Sequence, residues 1–338
     1  MIDTLKTLCY LSGVSGVEDE VRDYILERVM PYADKISADP LGNLIVFKKG
    51  AKEPEHKIML CANMDEAGLM ISGFYDDGYL RFSCVGAVET SSLIGKRVYV
   101  GPDRVCGVIG IKPIHLAPHD ERDKLPEIDD LYIDIGCADR ESAEKLVKPG
   151  DCCTFYDSVV EFGDGSLKAK ALDSRVGCAV MVSLIENELP CDAWFAFTAQ
   201  KHVGMRGAEA AAYDTAPDIA LVLDGAEAAD MPGMDGKNAS CRCGGGAVVP
   251  LMDAGAVYDQ ELCARIRDIA ARNGIAYQTV CGISGTNEGK VIQRSRSGVR
   301  SAAVCAPVRN INSPVPVGKI SDFEAVYSLC EKMLEELA

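Results

Sequence analysis

Residues 58–66 read Ile58-Met59-Leu60-Cys61-Ala62-Asn63-Met64-Asp65-Glu66, an apolar run that ends abruptly in polar side chains. The pattern recurs at residues 194–202, which end in Gln200-Lys201-His202, and at residues 219–224, which end in Asp224. Short, continuous apolar runs of this kind predict strands that are buried on both faces. Such strands are typical of a parallel sheet that helices cover.

Amphipathic segments separate these runs. Ser15 and Glu18 have the spacing of a capping box and precede an apolar face of helical period. Another helix is predicted after Asp173, and a further one ends at Gly274. Alternating strands and helices predict an α/β fold, with a mostly parallel sheet covered by helices on both faces.

The pattern of residues changes between Ala67 and Glu161. Short strand-like runs alternate there with glycine and proline turns, and helical periodicity is sparse. This pattern predicts a small β-rich domain inserted into the main one. We therefore expect an α/β domain of residues 1–66 and 162–338, interrupted by an inserted β-rich domain of residues 67–161.

Composition limits the classes of partner. The chain has 338 residues and a formal net charge of −16, and no basic stripe offsets the acidity, which argues against binding nucleic acid or anionic membranes. No apolar run is long enough to cross a bilayer. The first residues lack the features of a secretory signal, and the fifteen cysteines do not suggest a disulfide framework. We expect a cytoplasmic protein.

Polar clusters follow three predicted strands: Asn63 with Asp65, Lys201 with His202, and Asp224. Ligands of open α/β sheets bind beyond the carboxyl ends of the strands, so these side chains are candidates for one site. A single aspartate after a strand often only caps the next helix. Several clusters, together with Asp173 at a predicted helix start, favour a site.

The order of short motifs resembles that of the glutamyl/leucyl aminopeptidases, a family that includes the tetrahedral aminopeptidases and members named endoglucanase or cellulase. The resemblance runs nearly from end to end, and its specificity lies in the joint order of the motifs. They are Leu11-Ser12-Gly13-Val14-Ser15-Gly16-Val17-Glu18, Gly42-Asn43-Leu44, Met64-Asp65-Glu66-Ala67-Gly68, Asp134-Ile135-Gly136, Ala171-Leu172-Asp173-Ser174-Arg175-Val176-Gly177-Cys178, Val203-Gly204-Met205-Arg206-Gly207-Ala208, Asp224 with Asp230-Met231-Pro232-Gly233, and Pro307-Val308-Arg309.

This resemblance implies a cytosolic peptidase with two co-catalytic metals. Aspartates matching Asp173 and Asp224 bind the metals in the family, and the one matching Asp173 bridges them. Family histidines stand where this chain has Asn63 and Asn312. A family glutamate stands where it has His202. The resemblance thus assigns five positions to metal ligands, and three of the five (Asn63, His202 and Asn312) are substituted here.

Two further positions complete the implied site. A family glutamate at the position of Lys201 is the general base, and an aspartate matching Asp65 orients the first histidine. A protonated lysine cannot take a proton from water, so Lys201 is not expected to act as a base. We expect hydrolysis by the family mechanism to be absent or very slow.

The remaining charges do not balance two divalent ions. Asp173 and Asp224 supply two negative charges, and Lys201 offsets one of them. Carboxamides such as those of Asn63 and Asn312 are poor zinc ligands. We therefore expect no two-metal centre, and we interpret the Lys201 ammonium as the replacement of a lost cation.

One divalent metal, with zinc the best fit, remains an alternative. Asp173, His202 and Asp224 supply the ligand number of a catalytic zinc site with an open position. The simpler alternative is a metal-free pocket in which His202 forms only hydrogen bonds. Asp65 would then bond Asn63 or a backbone amide.

Two classes of function follow. One is a scaffold whose degraded site is silent or strongly impaired, and which binds a peptide-like ligand or assembles with an active paralogue through the inserted domain. The other is a hydrolase that removes N-terminal residues from peptides, or cleaves a small amide, at a rebuilt one-metal or metal-free site. The resemblance also implies self-assembly into a homo-oligomer.

Overall fold

The computed structural model describes residues 1–116, 124–156, 158–234, 241–282 and 285–338. The α-helices are α1 (Ile2–Tyr10), α2 (Asp19–Val29), α3 (Arg140–Glu144), α4 (Leu172–Glu186), α5 (Arg206–Thr215), α6 (Gln260–Arg272), α7 (Gly289–Ile292) and α8 (Ile320–Leu337). The strands are β1 (Lys35–Ala38), β2 (Leu44–Lys48), β3 (Ile58–Asn63), β4 (Gly68–Phe74), β5 (Leu80–Val85), β6 (Arg97–Val100), β7 (Val105–Ile111), β8 (Leu131–Asp134), β9 (Cys152–Phe155), β10 (Val160–Phe162), β11 (Ser166–Lys168), β12 (Ala193–Thr198), β13 (Ile219–Glu227), β14 (Ala247–Met252), β15 (Tyr277–Cys281), β16 (Arg300–Arg309) and β17 (Val317–Lys319).

A large sheet forms the centre of the molecule. Its order is β1-β2-β12-β3-β13-β16-β17-β11-β10, and β14 and β15 join it through β16. The central strands β12, β3, β13 and β16 pair in parallel, whereas β1, β2, β17, β11 and β10 pair antiparallel with their neighbours. The predicted α/β fold is confirmed. Its parallel part is the centre of the sheet, and the short connections between β1 and β2 and between β10 and β11 join antiparallel strands, as short connections must.

Helices pack against this sheet in two groups. α4 contacts β3, β13 and β16 and also touches α1, α2 and α8, whereas α5 contacts β12, β3 and α7. Gly177 allows α4 to lie close to the sheet, since a Cβ there would come within 2.6 Å of the Leu223 carbonyl oxygen. The buried strands supply most of the core between the layers, as the continuous apolar runs predict.

A separate closed barrel follows β3. Its order is β4-β5-β8-β7-β6-β9, and its interior has a hydrophobic cluster of its own, including Leu69, Leu80 and Ile133. All six strands lie between the predicted limits of 67 and 161. Those limits remain a prediction, and β10, which spans the second of them, pairs within the large sheet.

The starts of the helices differ from the sequence expectation in one respect. α2 begins at Asp19 with Glu18 at its N-cap, and no side chain caps it. The predicted capping box of Ser15 and Glu18 is therefore wrong, because both side chains make long-range contacts instead. Among the described residues, none of the helices combines the length and apolar character that crossing a bilayer requires.

Candidate functional site

The carboxyl ends of the central strands open into a cavity of about 790 Å³. The register of β12 against β3 pairs Thr198 with Asn63, so the polar residues that follow each strand lie at one edge of the sheet. Five of the predicted site residues line the cavity: Asp173, Lys201, His202, Asp224 and Asn312. Asn63 and Asp65 lie behind them and are buried.

A buried ion pair occupies the base of this cavity. The Nζ atom of Lys201 donates to both carboxylate oxygens of Asp224, at 2.6 and 2.5 Å, and the two side chains are only 10% and 4% exposed. Burial acts to lower the pKa of Lys201, but attraction by Asp224 and Asp173 outweighs it and holds this pKa well above its ordinary value. Lys201 is therefore a fixed positive charge.

Asp173 lies in the first turn of α4, beside this ion pair. Gly225 allows the helix to start there, because a Cβ at that position would stand 2.5 Å from the Asp173 Cβ. Asp173 is 5% exposed, and no hydrogen bond or ion pair joins its carboxylate to any residue in the described part of the chain. It is the one nearly buried carboxylate of the cavity lining, as far as the structure describes it, that has no such partner.

Asp65 organises a buried network behind the cavity. It accepts hydrogen bonds from the Ser15 hydroxyl, from the Asn63 Nδ2 at 3.0 Å and from the His202 backbone N–H at 2.9 Å. Burial acts to raise the pKa of Asp65, but the positive potential of His202 and these hydrogen bonds lower it below its usual range. The bond between Asp65 and Asn63 is the one expected if no histidine is oriented there.

His202 and Asn312 stand at the rim. The His202 backbone is fixed by Asp65, while its imidazole makes no hydrogen bond with the described residues. Asn312 has φ +58°, in the left-handed region. Ala171 and Gln200, next to the site, also have positive φ, at +54° and +59°. Each left-handed backbone conformation of this kind costs on the order of 1–3 kcal/mol, and residues that adopt one cluster at functional sites.

Glu288 is a site residue that the sequence did not suggest. It is buried, and it accepts from the Thr198 Oγ1 at 2.6 Å and the Cys61 Sγ at 3.2 Å. Burial raises the pKa of Glu288 to about 7, against the opposing attraction of Lys201. No local pattern marks this residue, because its partners come from β3 and β12, far away in the chain.

A second buried lysine lies nearby, at the start of α4. The Nζ of Lys170 donates to Glu66 and to the Leu11 carbonyl, both at 2.6 Å. Arg175, also fully buried, has its Nη2 3.7 Å from Glu66, and its guanidinium nitrogens have no hydrogen-bond partner among the described residues. One carboxylate thus faces two cations.

These residues do not fit a two-metal centre. Lys201 takes both oxygens of Asp224, so this carboxylate is not free to coordinate, and Asn63, whose Nδ2 donates to Asp65, offers only a carboxamide oxygen, which is a poor zinc ligand. The predicted single set of Asp173, His202 and Asp224 is not assembled either. Within the described ranges, no group of three or more histidine, cysteine or acidic side chains is placed to hold a metal ion.

Comparison with known proteins gives a consistent result. The family model of M42 glutamyl aminopeptidase matches residues 42–329. The lysyl aminopeptidase of Pyrococcus furiosus is 28% identical, and the match covers 99% of this chain and 97% of that one.

Two solved structures extend the similarity to the whole fold. An aminopeptidase from the archaeon Desulfurococcus kamchatkensis has a TM-score of 0.94 at 35% identity, covering 99% of this chain and 94% of that one. The TET1 peptidase of Pyrococcus horikoshii, which assembles into a tetrahedron or a large octahedral shell, has a TM-score of 0.86 at 32% identity, covering 99% of both chains. The chain therefore belongs to the M42 glutamyl aminopeptidase family.

Proposed function

We propose that this chain is an M42 scaffold whose two-metal site is degraded, and that it is catalytically silent or strongly impaired. The observation that carries the proposal is the bond of Lys201 to both oxygens of Asp224. M42 aminopeptidases are generally metal-dependent, and here an ammonium holds a carboxylate that the family resemblance assigns to a metal. One positive charge takes the place of divalent ions.

The position of the general base supports the same conclusion. A base must accept a proton near neutral pH. Lys201 is protonated there, because Asp224 and Asp173 raise its pKa. Glu288 has a pKa of about 7, but it is fully buried behind the cavity and bonded to Thr198 and Cys61. Among the described residues, none at the position of the family's general base can activate water.

The role that remains is binding. The cavity has the size of a small-molecule or short-peptide site, and its floor combines charged groups with apolar side chains such as Met205 and Ile311. Ala171, Gln200 and Asn312 keep their strained backbones beside it. Strain of this kind persists only where the surrounding structure maintains it. We propose a peptide-like ligand.

A rebuilt hydrolase is the second candidate. Asp173 and the His202 imidazole both line the cavity and have no hydrogen bond to the described residues, so they are available to a ligand or to one metal ion. If Lys201 released Asp224, these three side chains would supply the ligand types of a single zinc. A metal-free variant would need another way to activate water.

Assembly and location complete the proposal. The TET1 peptidase forms closed shells, and we propose that this chain likewise forms a homo-oligomer or joins an active paralogue, using the barrel within residues 67–161. All fifteen cysteines are free, which is typical of a reducing compartment. We propose a cytoplasmic location.

The activity test uses a panel of aminoacyl-4-nitroanilides with added zinc, cobalt or manganese. The proposal predicts no turnover above the uncatalysed rate with any metal. Fast, metal-dependent release of nitroaniline would overturn it. Weak turnover with one metal would instead favour the rebuilt hydrolase.

A gain-of-function experiment tests the scaffold. Lys201→Glu, His202→Glu, Asn63→His and Asn312→His together restore the ligand types of the family, and we expect this variant to bind metal measured by isothermal titration calorimetry. The matched control carries the three other changes but keeps Lys201. It should bind metal far more weakly, because its ammonium still holds Asp224. Equal binding by both variants would contradict the role given to Lys201.

A further inference from the structure

We propose that Glu18 is a positioning residue for Lys201, because it holds the backbone that keeps the Lys201 ammonium on Asp224. The backbone concerned is the loop of residues 199–202, which lies between β12 and α5 and belongs to neither. This inference rests on the proposed function, in which the ammonium replaces metal ions. It deepens that function by naming what holds the ammonium in place.

The loop is strained directly before Lys201. Gln200 has φ +59°, in the left-handed region, and this conformation costs a residue with a side chain on the order of 1–3 kcal/mol. Such a backbone persists only where contacts with the surrounding structure maintain it. Because the Lys201 side chain extends from this turn, the contacts that maintain the turn also determine where the ammonium lies.

Three buried side chains from distant parts of the chain supply these contacts. Each accepts one backbone N–H of the loop with a side-chain oxygen. The bonds run from Ala199 to Asn43 at 2.8 Å, from Gln200 to Glu18 at 2.9 Å and from His202 to Asp65 at 2.9 Å. The two carboxylates thus hold the amide groups on either side of Lys201.

The segment that carries Glu18 is itself fixed. The Oε1 atom of Glu18 that accepts from the loop also accepts from the Gly16 backbone N–H at 2.8 Å. One turn earlier, the Ser15 hydroxyl donates to Asp65. The two residues with the spacing of a capping box therefore support the loop, one directly and one through Asp65, and this explains why neither caps α2.

Asn43 holds the start of the loop in the same way. Its Nδ2 donates to the Gly207 carbonyl at 2.9 Å, while its Oδ1 accepts from Ala199. A Cβ at Gly207 would come within 2.2 Å of this Oδ1, so the close approach of α5 requires a glycine there. The motifs that contain Glu18, Asn43 and Gly207 thus meet at one loop.

The cost of placing a glutamate at position 18 indicates a specific role. Glu18 is only 6% exposed, and burial together with the nearby charge of Asp65 raises its pKa. A neutral side chain such as that of Asn43 accepts a backbone hydrogen bond without this cost. An ionised carboxylate, however, binds a backbone N–H about twice as strongly as a neutral oxygen does. The stronger bond lies at Gln200, the strained residue of the loop.

The test measures how fast each lysine of the full chain reacts with trace amounts of an N-hydroxysuccinimide ester, by peptide mass spectrometry. In the unmodified chain Lys201 should react slowly, because its ion pair with Asp224 keeps the amine protonated and covered. Glu18→Ala should raise the Lys201 rate at least tenfold, since the relaxed turn lets the ammonium leave Asp224. Lys170, which is also buried, is the internal control and should keep its rate.

Two further variants separate positioning from a general loss of structure. Glu18→Gln keeps an acceptor oxygen and should bring the Lys201 rate most of the way back. Glu20→Ala is the matched control, because Glu20 also accepts a backbone N–H, that of Ser12 at 2.8 Å, and should leave the Lys201 rate unchanged. If Glu18→Ala does not fold, Glu18→Asp, which is shorter by one methylene, takes its place with the same expected direction.

Two outcomes would overturn the inference. An unchanged Lys201 rate in Glu18→Ala would show that Glu18 does not position this lysine. An equal rise at Lys201 and Lys170 would show that Glu18 only stabilises the fold. Neither outcome affects the proposed function, which the aminoacyl-4-nitroanilide panel tests separately. Turnover in that panel would reject the proposed function, and the lysine rates would then still decide the role of Glu18.

Discussion

Two lysines with little exposed surface, Lys170 just before α4 and Lys201 just after β12, have opposite surroundings. Lys170 shares a single carboxylate, Glu66, with Arg175, and burial lowers its pKa. Lys201 holds both oxygens of Asp224 and faces Asp173, which together raise its pKa. Positive charges outnumber negative ones in the group of Lys170, Arg175 and Glu66. Negative charges outnumber positive ones in the group of Lys201, Asp224 and Asp173.

Under the proposed function, this difference separates a structural lysine from one that replaces a metal ion. Lys170 ties the segment before α4 to the end of α1, through the Leu11 carbonyl, and to the connection between β3 and β4, through Glu66, and it does not line the cavity. Lys201 lines the cavity and neutralises an acidic site that would otherwise need a cation. We infer that the excess negative charge of the site, rather than a need for rigidity, explains the lysine at position 201.

The largest expected effect comes from Lys201→Met. It would leave Asp224 buried without its cationic partner, and breaking a buried pair typically costs about 3–5 kcal/mol. Urea denaturation at neutral pH measures the loss. Adding Asp224→Asn should restore part of the stability, since the uncompensated charge is then gone. A loss no larger in Lys201→Met than in an exposed lysine variant would contradict the account.

The next effect concerns Glu288, which lies behind Lys201. Its contribution to stability is fully present below the unfolded pKa of about 4.3 and is lost as the pH rises through its folded pKa of about 7. Between pH 5 and pH 8 the free energy of unfolding of the unmodified chain should therefore fall by a few kcal/mol. The Glu288→Gln variant should not show this fall. Glu324→Gln, on the exposed face of α8, is the control and should follow the unmodified chain.

Lys170→Met should cost less than Lys201→Met, about 1–3 kcal/mol, because Arg175 can move the short distance to Glu66 and replace the lost partner. The Leu11 carbonyl still loses a hydrogen bond. The same denaturation series measures this change. A cost above that of Lys201→Met would contradict the expected order of the two lysines in their contribution to stability.

The smallest effect is expected at the surface. Lys145→Ala removes an exposed i,i+4 pair with Glu141, and such pairs contribute little. Its unfolding free energy should be nearly unchanged. This variant is the baseline for both buried lysines.

Much of the fold followed from local sequence patterns. The apolar runs at residues 58–62 and 219–223 correctly placed β3 and β13, and the polar ends of the strands indicated the position of the cavity. The antiparallel strands at the edges of the sheet were not predicted, since their pairing depends on connections and not on their own composition. α1 was missed as well, because it lacks a recognisable cap.

The site was only partly predictable for a similar reason. Lys201 and Asp224 could be expected near one another, because each follows a central strand. The contacts of Ser15 with Asp65 and of Glu288 with Thr198 join distant parts of the chain, so no local spacing of residues in the sequence predicts them. Lys170 looks like any exposed lysine in the sequence. Its burial depends on how α4 packs.

The metal content of the full chain, purified without chelator, tests the central claim most directly. Inductively coupled plasma mass spectrometry should find well below one zinc, cobalt or manganese per chain if the ammonium of Lys201 replaces the divalent ions. Two zinc ions per chain, located on either side of the Asp173 carboxylate in an electron density map, would contradict it.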